Sequence, residues 1–212
     1  MVAGFAQSPP NATLIGFAAT ERCGGGVRAL DIGCGAARNA VPLAALGWTV
    51  IGLDRSEPML AAAAGRAHAE GVADRLILAV AGMDALPVPD ASVDLVVAHG
   101  IWNLARSGAE FRRAVGEAAR VARRGAALFV FTFSRRTLPA AAAPLPGESL
   151  VFTQFSGEPQ VFLTEPQLLD ELEGAGFVPH PAVPLTELNA PRGGTLMAGR
   201  VPVIYQASFR RR

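Results

Sequence analysis

The residues of this chain best suited to bind a ligand lie in one stretch, ALDIGCGAARNAVPLAALGWTVIGLD, at residues 29–54. An apolar run leads into a glycine-rich turn, and an acid, Asp54, follows about twenty residues after the turn. Gly33 and Gly35 allow a tight turn and a close approach of the backbone to a ligand. The carboxylate of Asp54 could accept hydrogen bonds from ribose hydroxyls. This spacing predicts a nucleoside-binding site where two strands end.

Two charged residues around the turn indicate which nucleoside the site would accept. Arg38 stands where the dinucleotide fingerprint has its third glycine, which disfavours a pyrophosphate and favours a ligand with a single carboxylate. Arg38 could equally be a solvated residue of the first helical turn. Asp31 stands before the turn, where its carboxylate could attract the cationic amino group of a methionine moiety. These placements favour S-adenosylmethionine over a nicotinamide cofactor.

A second candidate group follows the fourth apolar run, in HGIWNLAR at residues 99–106. Ligands of open α/β sheets bind at the carboxyl ends of the strands. We interpret Trp102 and Asn103 as an aromatic wall and an amide that orient a substrate; the alternatives are core packing and a turn. His99 could be a general base, or it could contact the cofactor through its backbone, which we favour.

Composition excludes several other chemistries. All 19 residues counted as Lys or Arg are Arg, which excludes phosphate loops ending in Lys and Schiff-base enzymes. The net charge of +1, without a concentrated basic face, argues against nucleic acid as a partner. Cys23 and Cys34 lack the spacing of a disulfide framework or a zinc site, and Cys34 lacks an activating cation, so we expect no metal and no catalytic thiol. Without an apolar stretch or a leader-like N-terminus, we expect a soluble cytoplasmic protein that binds no membrane.

Alternating apolar and amphipathic segments position these residues. Five apolar runs imply five βα units of a parallel sheet, at residues 27–32, 49–53, 75–79, 93–99 and 126–134. Ser56, Ser107 and Thr164 have the hydroxyl of a helix N-cap, and the last two precede Glu or Gln by three residues, as in a capping box. Two more strands are expected over residues 177–185 and 201–210.

The chain is expected to form a single domain, residues 1–212, with four parts. These are an N-terminal cap or lid (1–26), a cofactor-binding core (27–134), a loop or lid insertion (135–163) and a C-terminal helix with strands (164–212). In the insertion we expect a loop followed by a short hairpin. The segment FTQFSGEPQVF is either an ordinary surface hairpin or a lid whose Phe152, Gln154 and Phe155 enclose a substrate.

Several motifs together resemble those of class I S-adenosylmethionine-dependent methyltransferases. They are LDIGCGAARN, GLD at 52–54, AGMDALPVPDASVDLVV at 81–97 and ARVARRGAALFV. The resemblance covers residues 27–134 well, and LTEPQLLDELEGAGF looks like the helix before the last strand pair of that family. Arg38 followed by Asn39 is similar to small-molecule enzymes of the tellurite-resistance methyltransferase type.

The residues that we expect to bind the cofactor all lie at or just after the carboxyl ends of the first four strands. They are Asp31, Gly33, Gly35, Arg38, Asp54, Arg55, Met59, Met83, Asp84, His99 and Gly100. The resemblance implies that Asp54 holds the ribose hydroxyls, that Asp84 meets the adenine amino group, and that His99 and Gly100 lie beside the sulfonium. The chain departs from the family at Ala37, where many members have Gly, and residues 102–106 follow no catalytic motif.

The resemblance also implies a fold and a reaction. The fold is a Rossmann-like, doubly wound, seven-stranded and mostly parallel α/β sheet with an antiparallel last strand. The reaction is methyl transfer from S-adenosylmethionine to a small molecule through a thiol or chalcogen, oxygen or nitrogen nucleophile, by a monomer or homodimer. The alternatives are a nicotinamide-dependent oxidoreductase and a non-catalytic nucleoside-binding module.

Overall fold

The apolar runs form one mixed β-sheet in the computed structural model, which describes residues 9–190 and 201–212. The strands are β1 (Arg28–Ile32), β2 (Thr49–Asp54), β3 (Leu76–Val80), β4 (Val93–His99), β5 (Ala122–Phe133), β6 (Val151–Phe152), β7 (Gln160–Val161), β8 (Phe177–Pro179), β9 (Thr186–Leu188) and β10 (Ile204–Arg211). The helices are α1 (Ala12–Cys23), α2 (Ala40–Ala45), α3 (Glu57–Ala69), α4 (Gly108–Val121) and α5 (Glu165–Gly174).

The main sheet has the strand order β3-β2-β1-β4-β5-β10-β8, and β9 also pairs with β10. Strands β1 to β5 are parallel, whereas β10 runs antiparallel to β5, β8 and β9. The strand order reverses between β1 and β4, where an open α/β sheet leaves a crevice at its carboxyl edge. The expected mostly parallel, seven-stranded sheet with an antiparallel last strand is confirmed.

Helices cover both faces of the sheet, so the fold is doubly wound. Each face of the sheet has its own hydrophobic core, and alternate residues of β4 belong to one or the other. Val96 and Ala98 pack with α4 and α5, whereas Leu95 and Val97 pack with α1, α2 and α3. This alternation follows from the two-residue period of a strand. The buried sheet holds the carboxyl ends of β1, β2 and β4 in fixed positions.

Three helices begin at the hydroxyl residues that the sequence indicates. Ser56 accepts from the Met59 N–H, and Thr164 forms a complete capping box with Gln167. Ser107 accepts from the Glu110 N–H, but the Glu110 carboxylate accepts from the Arg106 N–H rather than from Ser107. The cap at Ser107 is therefore present without the reciprocal bond.

The expectation of five βα units is wrong at the third strand, because no helix lies between β3 and β4. Residues 81–92 connect β3 to β4 through turns that contain Pro87 and Pro89, and proline disfavours a helix interior. Arg120 of α4 fixes this connection by donating to the backbone oxygens of Leu86 and Val88, at 2.9 and 2.8 Å. The loop that carries Met83 is therefore held by a helix on the same face.

The C-terminal strands, the insertion and the N-terminal part have bounds that differ in detail from those expected. The strand expected over residues 177–185 is split into β8 and β9, which pair with the two ends of β10. The insertion contains the expected hairpin, β6–β7, which packs against the turn at residues 102–104. Within residues 1–26, α1 is a helix, and residues 1–8 lie outside the described part. No helix of the described residues is long and apolar enough to span a membrane.

Candidate functional site

Two adjoining cavities open at the carboxyl edge of the sheet, where the strand order reverses. The first has a volume of about 280 Å³ and lies between β1, β4 and the turn after β1. The second has a volume of about 390 Å³ and lies beyond β2. Gly33 and Gly100 line both, so the two cavities form one elongated site with its middle at these glycines.

The glycine-rich turn after β1 adopts a backbone that favours glycine. Gly33 and Gly35 have φ of +70° and +54°, in the left-handed region. A Cβ at Gly33 would lie 2.6 Å from Ile101 Cδ1, so a side chain is excluded by packing. A Cβ at Gly35 would meet nothing within 4 Å. Ala37 is also left-handed, with φ of +59°, a conformation that glycine adopts more readily than alanine.

Asp31 brings a buried carboxylate to the first cavity. It is only 2% exposed, and its Oδ2 has no hydrogen-bond partner among the described residues. Burial raises the pKa of Asp31 to about 7; Arg38 opposes this shift and Asp54 adds to it. An uncompensated buried acid is costly, so this position is suited to a cationic ligand group.

Arg38, His99 and Phe131 also line the first cavity. The imidazole of His99 stacks on Phe131, with ring centroids 4.1 Å apart and planes 8° from parallel. Arg38 Nη2 lies 3.1 Å from His99 Nδ1. Burial and the Arg38 charge lower the pKa of His99 to about 4, so the ring is neutral at neutral pH. A neutral ring with this pKa is a weak general base.

Three amide side chains near this cavity were not predicted to be site residues from the sequence, although Asn39 was named as part of a motif. Asn11, the N-cap of α1, has its backbone N–H 3.1 Å from Asn39 Oδ1 and its Nδ2 2.9 Å from Gln206 Oε1. The same Nδ2 lies 3.2 Å from His99 Nε2. Asn11 and Gln206 are far apart in sequence, so a local sequence pattern at either residue does not indicate this contact. The start of α1 is thereby tied to β4 and β10.

Asp54 ends β2 at the junction of the two cavities. Its Oδ2 accepts from the Gly35 N–H at 2.8 Å, and its Oδ1 accepts from the Ser56 N–H at 2.9 Å. Each oxygen keeps a further lone pair for a ligand hydroxyl. The carboxylate thus orders both the glycine-rich turn and the start of α3 while it lines the second cavity.

The second cavity is largely apolar with a charged rim. Expected residues Arg55, Met59 and Met83 line it, together with residues that were not expected: Ala81, Ile101, Leu104, Arg106 and Glu110. The methionines and Ile101 offer flat apolar contact of the kind that suits a heteroaromatic ring. This cavity fits the base end of a nucleoside whose ribose lies at Asp54.

The structure does not place Asp84 on the wall of that cavity. Its carboxylate lies 3.2 Å from Arg55 Nη2 and 3.4 Å from Arg113 Nη2, at the rim. Both arginines are exposed, so these contacts are screened and weak. The predicted contact of Asp84 with adenine therefore remains a prediction.

Trp102 and Asn103 also lie away from both cavities. Trp102 is fully buried, with its ring packed edge-on against Phe111 at 6.2 Å, and Asn103 is buried beneath the β6–β7 hairpin. Packing in the core thus describes Trp102 better than a substrate wall. Cys34 is buried, and burial with Asp31 and Asp54 raises the pKa of its thiol, as expected for an inert cysteine.

The combined site can bind a zwitterionic amino-acid end and a nucleoside end at once. Asp31 and Arg38 offer opposite charges in the first cavity, and Asp54 stands between that cavity and the apolar one. Within residues 9–190 and 201–212, no group of three or more His, Cys, Asp or Glu side chains could hold a metal ion.

The sequence of this chain is similar to those of known methyltransferases. Residues 30–130 match the family model described as a methyltransferase domain. A protein of Mycolicibacterium smegmatis, described as a probable S-adenosylmethionine-dependent methyltransferase, is 32% identical over 188 residues. The match covers 85% of this chain, and the chain spans 65% of the length of that relative.

Solved structures share the fold at lower identity. The (4+2)-cyclase SpnF has a TM-score of 0.70 and 22% identity, over 93% of this chain and 80% of that protein. The 1,6-didemethyltoxoflavin-N1-methyltransferase of Burkholderia thailandensis, solved with 1,6-didemethyltoxoflavin and S-adenosylhomocysteine, has a TM-score of 0.67 and 17% identity. That match covers 94% of this chain and 78% of the other. At these identities the likeness concerns the fold alone.

Proposed function

We propose that this chain is a class I S-adenosylmethionine-dependent methyltransferase and that it transfers a methyl group from S-adenosylmethionine to a small molecule; the match of residues 30–130 to a methyltransferase domain and the 32% identical relative support this. The observation that carries this proposal is the buried carboxylate of Asp31 in the first cavity, whose Oδ2 has no hydrogen-bond partner within residues 9–190 and 201–212. An ammonium group there would supply the missing partner and favour the ionised carboxylate. An amino acid joined to a nucleoside would use this site and Asp54 together.

Each end of the cofactor has a set of residues to hold it. Asp31 would accept from the amino group and Arg38 would donate to the carboxylate. Asp54 would accept from the ribose hydroxyls, and Met59 with Met83 would contact the adenine. S-adenosylmethionine, when bound, supplies a methyl group activated by a sulfonium. Gly33 and Gly100, shared by both cavities, leave room between the two ends.

The chain's own contribution to transfer would be binding and orientation, because none of the described residues that line the middle of the site is a strong base. Positioning of two reactants can supply several kcal/mol of a barrier, about 7 or more in favourable cases. His99 is neutral with a pKa of about 4, so it would take a proton from a hydroxyl poorly. This supports an acceptor that is nucleophilic by itself, such as a thiolate, a chalcogen anion or an amine.

Calorimetry with S-adenosylmethionine, S-adenosylhomocysteine and NAD(H) tests the cofactor. We expect the two S-adenosyl compounds to bind and NAD(H) to bind much more weakly. Tighter binding of NAD(H) would indicate an oxidoreductase, and binding of none would reject the proposal.

A screen of acceptors by release of S-adenosylhomocysteine tests the reaction. Thiols and selenium or tellurium oxyanions would be compared with amines and phenols. We expect turnover with the first three classes before phenols. Cofactor binding without turnover on any acceptor would favour the non-catalytic alternative.

A further inference from the structure

Phenylalanine side chains lead from the first cavity to the β6–β7 hairpin. Phe131 lines the cavity, and its backbone oxygen accepts from the Gly100 N–H at 2.7 Å, so Phe131 lies beside the glycine in the middle of the site. Phe133 is two residues further along β5 and therefore faces the same side of the sheet. Successive side chains on one face of a strand are about 7 Å apart, so Phe133 extends the apolar wall that Phe131 begins.

Phe155, in the loop of the hairpin, packs edge-on against Phe133. Their ring centroids are 5.4 Å apart and their planes meet at 67°. Phe162 stacks on Phe133 at 5.3 Å and lies 5.9 Å from Phe155. Phe162 is fully buried, whereas Phe133 and Phe155 are half-buried. The buried ring therefore holds the other two in place, and those two keep accessible surface.

Three hairpin residues were considered as a lid over a substrate, and they differ in what they contact. The ring of Phe152 is only 4% exposed and is contacted by Phe162 at 6.1 Å and by the guanidinium of Arg135 at 4.8 Å. Gln154 is exposed, and its Nε2 donates to a backbone oxygen of the insertion at 2.9 Å. Among the three, Phe155 has the ring that is both accessible and packed against β5.

The chemistry of this wall favours an acceptor that has an aromatic ring. Phe133 and Phe155 belong to a cluster whose other members are also apolar, namely Leu138, Ala142, Phe152 and Phe162. Aromatic rings attract one another through stacked or edge-on contacts, beyond the effect of buried area. The nucleophile must also act without a strong base, because the pKa of His99 is about 4. An aryl thiol meets both conditions, since its ring stabilises the thiolate, which is the nucleophilic form.

We propose that Phe133 and Phe155 bind the aromatic ring of the methyl acceptor, and that this acceptor is an aryl or heteroaryl thiol. The thiolate, whose proton has already gone to solvent, would form the new bond to the methyl carbon with its own electron pair. The bond from that carbon to the sulfonium would break and leave its electron pair on the sulfur of S-adenosylhomocysteine. This inference rests on the proposed function for the methyl donor, and it makes the β6–β7 hairpin part of the acceptor site.

Binding of two methyl sulfides tests the inference without requiring turnover. Thioanisole, the product expected from thiophenol, is compared with cyclohexyl methyl sulfide, which has the same number of heavy atoms but a saturated ring. Each is titrated by NMR into protein saturated with S-adenosylhomocysteine. Phe155→Leu and Phe133→Leu each remove one ring of the wall, whereas Phe155→Tyr keeps it. Phe152→Leu is the matched control, because it makes the same change at the buried ring of the same cluster.

We expect the wild type to bind thioanisole roughly threefold or more tightly than cyclohexyl methyl sulfide. Phe155→Leu and Phe133→Leu should weaken thioanisole binding by roughly threefold to tenfold, and Phe155→Tyr and Phe152→Leu by less than about twofold. With thiophenol as acceptor, the same losses should appear as a higher KM with little change in kcat. The affinity for S-adenosylhomocysteine alone should be the same in all five proteins.

The inference would be overturned by any of three results: no preference of the wild type for thioanisole, an unchanged thioanisole affinity in Phe155→Leu, or an equal loss in Phe152→Leu. Failure of the wild type to bind S-adenosylhomocysteine would instead reject the proposed function. In that case thioanisole is titrated into the ligand-free wild type and Phe155→Leu. A weaker affinity in the variant would still assign the ring-binding wall, and equal affinities would remove it.

Discussion

The raised pKa of Asp31 predicts that cofactor binding depends on pH. Burial raises this pKa to about 7 in the free protein, and the ligand ammonium needs the ionised carboxylate. Affinity should therefore reach a plateau above pH 7 and fall by up to tenfold for each pH unit below it. Between pH 8 and pH 5.5 the loss of affinity for S-adenosylhomocysteine should be about thirtyfold.

Calorimetry of S-adenosylhomocysteine at a series of pH values measures this loss. Asp31→Asn should bind more weakly at pH 8, by about 1.5 to 3 kcal/mol for a lost bond to a charged group. Its affinity should also be flat between pH 5.5 and pH 8. Methylthioadenosine, which has no ammonium, serves as the control and should show no such dependence with either protein.

The raised pKa of Asp31 also predicts how the stability of the ligand-free protein depends on pH. Stability should fall as pH rises, whereas affinity should rise. Because the folded-state pKa of Asp31 lies above its unfolded value of 3.8, the folded protein holds the proton more tightly. The ligand-free protein should lose stability as pH rises from about 4 to about 7, by at most about 4 kcal/mol. Denaturant unfolding at several pH values would measure this. Two results for S-adenosylhomocysteine binding would refute the reasoning about Asp31. One is an affinity of the wild type that does not change with pH, and the other is the same dependence of affinity on pH in Asp31→Asn.

Three further substitutions test other parts of the structure. Asp54→Ala should weaken S-adenosylhomocysteine binding at least tenfold, about 1.4 kcal/mol, as measured by calorimetry; unchanged affinity would remove Asp54 from the site. Ala91→Gly should stabilise the protein by about 1 kcal/mol, because Ala91 is exposed with φ of +46°. Thermal unfolding should then shift upward by about 2–4 °C, whereas a lower midpoint would contradict the assigned backbone. Trp102→Phe should lower the unfolding free energy but leave cofactor affinity unchanged; an intact stability with lost affinity would return Trp102 to the site.

The sequence predicts the elements whose signals are local. The caps at Ser56 and Thr164 follow from one hydroxyl and the residues three positions later, and the strands follow from short apolar runs. The prediction of a helix between β3 and β4 was wrong, although Pro87 and Pro89 in that segment are a local signal against a helix. The antiparallel direction of β10 came from family resemblance, because a strand's own pattern has no direction.

The site was less predictable where residues distant in sequence meet. Nothing near Asn11 indicates that its amide lies between His99 and Gln206, because that contact depends on where β10 enters the sheet. The interpretation of Trp102 as a substrate wall depended on a similar long-range contact. An aromatic residue after a strand can face a cavity or the core, and here the choice is made by α4 and the hairpin that cover it.

The position of β10 between β5 and β8 has a consequence for how the protein folds. Its bonds join the latest strand to elements formed much earlier, and Arg210 near its end pairs with Glu21 of α1 at 2.7 Å. Contacts of such long sequence separation close slowly, because a large loop must lose its freedom first. The fixed amide of Asn11 also depends on Gln206 of that strand. During synthesis, the parallel part of the sheet could collapse early, but the ligand site would become competent only once β10 had inserted.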